Sequence, residues 1–162
     1  MRRKYLLFSL TCLLIGAACA YAAQATAVPS RETVDKLYKD GNYAEAYDGY
    51  RRRALDKNTD PKRVGEDLTM AINCLQRLNR VNEIDEFREA VIAAHEKNWR
   101  LLKAAAHSLS YGPHYGYIIA GEFERGQHRG GGQPASSEAR DRVRALQLMQ
   151  QALPLVQQDS NK

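Results

Sequence analysis

The sequence predicts an all-α fold of stacked helical hairpins, with about six helices and one long loop rich in glycine, tyrosine and histidine. Apolar residues recur at spacings of three and four through most of the chain, and short polar turns separate these segments. No segment alternates convincingly with a period of two. The exception to the regular pattern is YGPHYGYIIAGEFERGQHRGGG at residues 111–132.

The first 22 residues have the organisation of a secretory signal peptide. A basic start, MRRK, precedes the apolar run YLLFSLTCLLIGA, which is too short to span a bilayer comfortably. Ala20-Tyr21-Ala22 is a small-x-small cleavage pattern, so we expect a cut after Ala22 and a periplasmic or secreted protein. Such a protein meets the membrane only transiently, through its signal. Lipidation at Cys19 and an uncleaved anchor are the alternatives, although no leucine precedes Cys19 at the usual lipobox position.

Removal of the signal changes the charge and the cysteine content. Three of the 24 basic residues and none of the 19 acidic residues precede the cut, so the net charge falls from +5 to +2. This near balance removes the support for a nucleic-acid partner. Cys12 and Cys19 leave with the signal. Cys74, next to Leu75 and near Ile72, is predicted to be a small buried residue rather than a reactive thiol.

The remaining chain divides into a linker at residues 23–29, a helical domain at residues 30–158 and a disordered tail at residues 159–162. Each predicted helix carries one apolar stripe. In chain order the stripes are Val34, Leu37 and Tyr38; Tyr43, Ala46, Tyr47, Tyr50 and Ala54; Val64, Leu68, Ile72, Leu75 and Leu78; Ile84, Phe87, Val91 and Ala94; Trp99, Leu102, Ala106 and Leu109; and Val143, Leu146, Met149 and Leu153.

Turn and capping residues separate these stripes. Gly41 ends the first helix. Asp60 is placed to cap the third helix, with Pro61 at its first position, where a missing N–H has no cost. Ser136 or Ser137 can cap the last helix.

The last helix begins with a run of charges, EARDRVR. Glu138 and Asp141 lie in its first turn, where acidic groups favour the helix dipole. Glu138 and Arg142 have the i, i+4 spacing of a surface ion pair worth a few tenths of a kcal/mol. We therefore expect the charges, including Arg140 and Arg144, to form a solvated face opposite the apolar stripe.

A faint internal repeat accompanies the helical pattern. KDGNYAEAYDGYRRRAL is similar to the second half of a tetratricopeptide repeat, and RLNRVNEIDEFREAV follows the same pattern 38 residues later. Asn79 then stands in the place of Gly41, and Ile84 in the place of Ala46. The spacing exceeds the usual ~34 residues, so the units are degenerate. Stacks of this kind mostly bind other protein segments, although a fold alone does not prove a function.

The stretch at residues 111–132 is the candidate binding loop. Its candidate residues are His114, Tyr115, Tyr117, Arg125, His128, Arg129, Gly130, Gly131 and Gly132. Successive glycine N–H groups near two arginines can form an anion nest, although the features of a P-loop are missing. In the alternative interpretation the glycines only permit a sharp turn, while the arginines pair with Glu122, Glu124 or the last helix. The piece YIIAGEF within this stretch is either a short helix or an extended strip.

The sequence predicts no catalytic residue, metal or cofactor. The four histidines, His95, His107, His114 and His128, include no pair at the i, i+4 spacing of metal ligands on a helix. There is no Gly-x-Ser-x-Gly elbow, and no cysteine lies near a histidine in sequence. The pattern therefore favours a protein that is not an enzyme.

Four stretches carry a family resemblance: DGNYAEAYDGYRRRALD, CLQRLNRVNEIDEFREAVIAAHEKNWRLLKAAA, PHYGYIIAGEFERGQHRGGG and RDRVRALQLMQQALPL. Together, over roughly Ser30–Gln157, they resemble the N-terminal helical region of bacterial, planctomycete-type alpha-2-macroglobulin proteins. The resemblance implies an exported protein of the protease-trapping class. In that class a protease cleaves a bait region and is then enclosed, and many members use a Cys-x-Glu-Gln thioester.

This chain lacks the features that carry the trapping chemistry of that class. Cys74 is followed by Leu75, Gln76 and Arg77, so the thioester sequence is missing, and there is no array of β-sandwich domains. No trapping chemistry therefore carries over to any residue here. We expect either a truncated or split gene product or a stand-alone copy of the helical region.

Three functional hypotheses follow. The first is a non-enzymatic, exported module that docks a protein partner, with macroglobulin-like domains as one candidate, and that is a soluble monomer or weak dimer. The second is a small-molecule or anion-binding protein, or a minor enzyme, that uses the 111–132 stretch. The third is a decayed fragment without function.

Overall fold

The computed structural model describes residues 28–159 of the chain. The predicted signal peptide, most of the linker and residues 160–162 of the predicted tail lie outside the described residues. Within this range the chain has six α-helices, none of which is long and apolar enough to cross a membrane. They are α1 (Arg31–Lys39), α2 (Tyr43–Leu55), α3 (Val64–Arg77), α4 (Ile84–Ala94), α5 (Trp99–Tyr111) and α6 (Glu138–Gln158). The predicted, mostly helical fold is therefore confirmed.

The two turns that the sequence repeat aligns have the same backbone geometry. Gly41, after α1, has a φ of +82°, and Asn79, after α3, has a φ of +56°. In both turns the next N–H bonds to the carbonyl five residues earlier, which closes the end of the helix. Glycine and asparagine are the residues that adopt this left-handed conformation most readily, so their alignment in the sequence has a structural counterpart.

The start of α3 differs from the prediction. The helix begins at Val64, and residues 61–63 form a separate turn. Asp60 starts that turn, because its Oδ1 accepts the backbone N–H of Lys62 at 3.0 Å. Asp60 and Pro61 therefore introduce the turn that leads into the helix rather than the helix itself.

The helices form three hairpins around one core. α1 packs against α2, α2 against α3, α3 against α5, and α5 against α6. α4 lies against α2, α3 and α5, and the Tyr47 and Phe87 rings meet edge to face with centroids 5.8 Å apart. Cys74 is fully buried, as predicted, and its burial raises the pKa of the thiol to about 11. The largest fully buried apolar residues are Tyr50, Leu68, Leu75, Ile84, Leu101, Leu102 and Leu148.

The stretch at residues 111–132 is not one long loop, so that prediction was wrong, whereas the extended alternative for YIIAGEF is confirmed. It contributes two strands, β1 (Tyr115–Ile119) and β2 (Glu122–Arg125), and β3 (Gln133–Ser136) follows. β1 is the central strand and pairs antiparallel with both neighbours. Ala120 and Gly121 connect β1 to β2 with φ values of +50° and +89°, a pair of left-handed residues that suits a tight hairpin.

The core face predicted for α6 was also wrong. Its four apolar residues are exposed: Val143 by 55%, Leu146 by 63%, Met149 by 46% and Leu153 by 61%. The buried positions are instead Asp141, Ala145, Leu148 and Ala152. α6 packs mainly against α5, so only one narrow stripe is covered, and small alanines let the two helices approach closely.

We predict that Gly49→Ala lowers the free energy of unfolding, because the added methyl group would clash where α1 packs against α2. A Cβ at this position would lie 2.6 Å from Cγ2 and 2.9 Å from Cγ1 of the buried Val34. Overpacking of this kind costs about 1–3 kcal/mol. Urea denaturation measures the loss.

The control is the same substitution in a Val34→Ala background. There both Cγ contacts are removed and the nearest remaining contact is the Cβ of residue 34 at 3.3 Å, so Gly49→Ala is expected to cost less than in the wild type or to stabilise the protein by up to about 1 kcal/mol through the higher helix propensity of alanine. Purely additive effects of the two substitutions would contradict this explanation.

Candidate functional site

The three-stranded sheet meets the helices through one buried guanidinium group. Arg125, the last residue of β2, is only 3% exposed. Its Nη2 lies 2.8 Å from Asp141 Oδ2 on α6, and its Nε lies 3.0 Å from Asp85 Oδ1 on α4. Its Nη1 donates to the carbonyl of Pro113 and, at 3.1 Å, to Ser137 Oγ. One side chain therefore ties the sheet to two helices.

Asp141 is the main acceptor for these donors. Its Oδ2 accepts from Arg125, from Ser137 Oγ at 2.8 Å and from His114 Nδ1 at 3.0 Å. Its Oδ1 accepts from Arg140 Nη2 at 3.0 Å. Burial alone would raise the pKa of this carboxyl, but the hydrogen bonds outweigh burial and lower the pKa to about 2. The group is therefore an anion at neutral pH.

A second buried arginine extends the network to α5. Arg88 on α4 donates from Nη1 to Asp85 Oδ1 at 3.0 Å and from Nε to Ser108 Oγ at 2.9 Å. Arg140 Nη2 lies 2.8 Å from Asp85 Oδ2, and its guanidinium lies over the Phe123 ring at 4.8 Å. We call this set the charge cluster. Its members are Asp85, Arg88, His114, Arg125, Ser137, Arg140 and Asp141.

The charge cluster contains a hydroxyl, an imidazole and a carboxylate, but not in the order of a nucleophilic triad. In a triad the imidazole lies between the hydroxyl and the carboxylate, so that it can take the hydroxyl proton. Here the carboxylate of Asp141 lies between Ser137 and His114. The Ser137 hydroxyl also lies 3.2 Å from the backbone carbonyl of His114. This order suits a structural connection better than catalysis.

The remaining aromatic residues of the candidate loop lie on the other face of the sheet. Side chains alternate along a strand, so Tyr115 and Tyr117 lie on the face opposite that of Gly116, the residue paired with Arg125. The hydroxyls of Tyr115 and Tyr117 are 2.5 Å apart, and the Tyr117 and His128 rings have centroids 6.4 Å apart.

The glycine-rich end of the loop connects β2 to β3. Arg129, Gly130, Gly131 and Gly132 are all exposed there. The candidate residues therefore divide into three places: His114 and Arg125 in the charge cluster, Tyr115, Tyr117 and His128 on the outer face, and residues 129–132 in the connection. They do not form one pocket. Arg125 pairs with the last helix, which is one of the partners that the sequence predicted for it.

The charged run at the start of α6 is only partly a solvated face. Arg142 and Glu138 form the predicted exposed pair, with Nη2 and Oε1 3.2 Å apart. Arg144 bonds to Glu89 on α4 at 2.6 Å. Asp141 is turned inward, contrary to the prediction, because the buried Arg125 needs a compensating charge. Ser137 precedes the helix, but its hydroxyl binds Asp141 rather than capping the first turn.

A groove that the sequence did not reveal lies between α1, α3 and α5. It has a volume of about 590 Å³. Tyr38, Met70 and Ala104 provide apolar surface inside it, and Tyr50 closes one side with its hydroxyl bonded to Asp35 at 2.6 Å. We call it the helix groove. Each of its three helices is the first helix of a hairpin, so the groove follows from how the hairpins stack.

The rim of the helix groove is mainly basic. Five basic and two acidic residues line it: Arg31, Lys39, Lys62, Arg63, Arg100, Asp35 and Glu66. Arg31 is held in place by the buried Asp67, with Nη2 and Oδ1 2.7 Å apart. Lys39 and Lys62 are exposed and have no ion pair among residues 28–159. The sequence showed these residues only as the polar sides of separate helices.

A second depression, of about 610 Å³, lies between α4 and α6. Several members of the charge cluster line it, and its charged groups largely satisfy one another. Among residues 28–159, no three or more histidine, cysteine, aspartate or glutamate residues are grouped so that they could hold a metal ion.

No protein-family model matches this chain, and neither a curated protein sequence nor a solved structure is significantly similar to it. The resemblance to the helical region of alpha-2-macroglobulin proteins therefore stays a prediction.

We predict that Asp141→Asn destabilises the protein by about 3 kcal/mol at pH 7, since it leaves the buried Arg125 without its closest counter-charge. In the wild type the folded pKa of about 2 lies below the ordinary value of 3.8. The stabilisation is therefore present above the ordinary value and is lost as the pH falls toward 2. Denaturant titrations at pH 7 and pH 3 measure both effects.

Glu138→Gln is the matched control, because it removes a carboxylate from the same helical turn. Its partner Arg142 is exposed, so we expect a change of only a few tenths of a kcal/mol. If Asp141→Asn costs no more than this control, or keeps the acid sensitivity of the wild type, the charge cluster does not hold the sheet.

Proposed function

We propose that this protein is a non-enzymatic docking module that binds an extended segment of another protein in the helix groove. The observation that carries the proposal is the groove itself, which has an apolar floor, a basic rim and walls from the first helices of three successive hairpins. Stacked helical hairpins commonly present such concave surfaces to their partners.

The charges of the groove define the kind of segment. A basic rim around Tyr38 and Met70 suits a chain that alternates acidic with apolar side chains. Lys39 and Lys62 are the residues best placed to meet the acidic groups, since neither is held by another ion pair of the described part of the chain. Arg31 and Arg63 already bond to Glu66, so they contribute mainly to the field of the groove.

The proposal extends the expectations drawn from the sequence. An exported module of this kind would act in the periplasm or outside the cell, and macroglobulin-like domains are one candidate for the protein that carries the bound segment. The division of the 111–132 residues among three places favours this docking role over a small-molecule or anion site in that stretch.

A screen of random peptides displayed on phage tests the proposal. We expect the protein to enrich peptides that combine acidic and apolar residues, and fluorescein-labelled copies to bind more weakly as salt increases. In Lys39→Glu/Lys62→Glu, affinity measured by fluorescence anisotropy should fall roughly tenfold or more, because both exposed cations become repulsive.

Lys57→Glu/Lys97→Glu is the matched control, since it makes the same charge change outside the groove. Equal losses of affinity in the two double variants would show that only net charge matters. Unchanged binding in the groove variant, or no enriched peptide at all, would contradict the proposal.

The non-enzymatic part has its own test. We expect no turnover of ester, peptide or glycan substrates, because the Ser137 hydroxyl donates to the Asp141 carboxylate, whose pKa of about 2 makes it a weak base, and not to the imidazole of His114. Chromogenic substrates of each class measure this. Turnover by the wild type that disappears in His114→Ala would contradict it and favour an enzyme that uses the charge cluster.

A further inference from the structure

The exposed apolar face of α6 has no partner within the described part of the chain. Val143, Leu146, Met149 and Leu153 lie within one helical stripe, and each is about half exposed or more. Together they leave about 400 Å² of apolar surface in water, which is within the range of the largest patch on a typical monomer and is often functional. We call this surface the α6 stripe.

We propose that the α6 stripe binds the α6 stripe of a second copy of this chain, with the two helices antiparallel about a two-fold axis. This inference is independent of the helix groove, which α6 does not line.

The spacing of the stripe makes it self-complementary. Val143, Leu146 and Leu153 occupy three of the four positions of a three-four-three helix–helix seam, and the polar Gln150, next to Met149, occupies the fourth. In an antiparallel pair centred near residue 148, Val143 of one copy lies opposite Leu153 of the other. Met149 lies beside the axis and meets its own counterpart. Each end of the stripe thus finds an apolar partner at the other end.

The charge distribution along α6 selects the antiparallel orientation. All of its charged residues lie between Glu138 and Arg144, and the helix from Ala145 to Gln158 has none. An antiparallel pair places each charged half against a neutral half, whereas a parallel pair would place Arg142 against Arg142. The helix dipoles also favour the antiparallel arrangement.

The uncharged C-terminal half also favours this occupant over a charged partner. It offers no ion pair to a basic or acidic helix, and the matching half of a second copy needs none.

The size of the surface determines how tightly two copies bind. With a polar rim of ordinary proportion, two stripes bury roughly 1,200 Å² in total, the lower limit for specific interfaces. We therefore expect a weak, reversible dimer.

Sedimentation equilibrium of the protein over a concentration series tests the pairing. The wild type should change from monomer to dimer as concentration rises, and Leu146→Glu, at the middle of the stripe, should raise the dissociation constant roughly tenfold or more. Circular dichroism shows whether the variant stays helical. Tyr111→Glu is the control, since it replaces an even more exposed apolar residue on α5 and should leave association unchanged.

Disulfide trapping tests the orientation. In a Cys12→Ser/Cys19→Ser background, Val143→Cys and Leu153→Cys chains should form a mixed disulfide faster than Val143→Cys chains form one with each other. The native Cys74 is buried and is not expected to interfere. Preferential Val143→Cys homodimers would overturn the antiparallel pairing.

A monomer at every concentration, or a dimer unaffected by Leu146→Glu, would overturn the proposal as a whole. The first of these results would rule out a second copy as the partner of the α6 stripe.

Discussion

Arg125 brings a positive charge into a site where only 3% of its surface reaches water, and two carboxylates from two different helices compensate it. An unpaired buried guanidinium would be strongly unfavourable, so the positions of Asp85 and Asp141 are constrained together. Once Asp141 faces inward, helical geometry turns Ala145, Leu148 and Ala152 inward with it, at spacings of four, three and four. The apolar stripe of α6 then faces water. The two ion pairs of Arg125 thus account for the attachment of the sheet, and the one with Asp141 accounts for the rotation of the last helix.

The charged residues of the protein have two different roles. In the charge cluster nearly every group is bonded to another, which holds β2, α4, α5 and α6 in register but leaves little capacity for a ligand. Around the helix groove, Lys39 and Lys62 remain exposed above an apolar floor, and this arrangement can recognise a partner. The residues that the sequence suggested most strongly as catalytic or binding groups therefore stabilise the fold. The proposed recognition lies among residues that looked like ordinary helix surface.

The two proposed contact surfaces belong to different helices. The helix groove is built from α1, α3 and α5, and the α6 stripe lies on the second helix of the third hairpin. Because α6 does not line the helix groove, a dimer formed through α6 would not use any groove residue. Two copies would then present two grooves, and a partner with two suitable segments would bind more tightly through avidity.

Local sequence determined the helices, because periodicity and turn residues act within a few positions of one another. The equivalence of Gly41 and Asn79 was visible for the same reason, since each ends its helix in the left-handed conformation. The strand at Tyr115–Ile119 was visible only as one of two alternatives for YIIAGEF, because Gly116 and two adjacent isoleucines obscure its alternation. Its pairing with β2 and β3 could not be predicted from that pattern. Three further features could not be predicted from the sequence: the buried face of α6, the inward turn of Asp141 and the helix groove. Each depends on side chains from different elements of the chain, and only the packing of the folded chain brings them together.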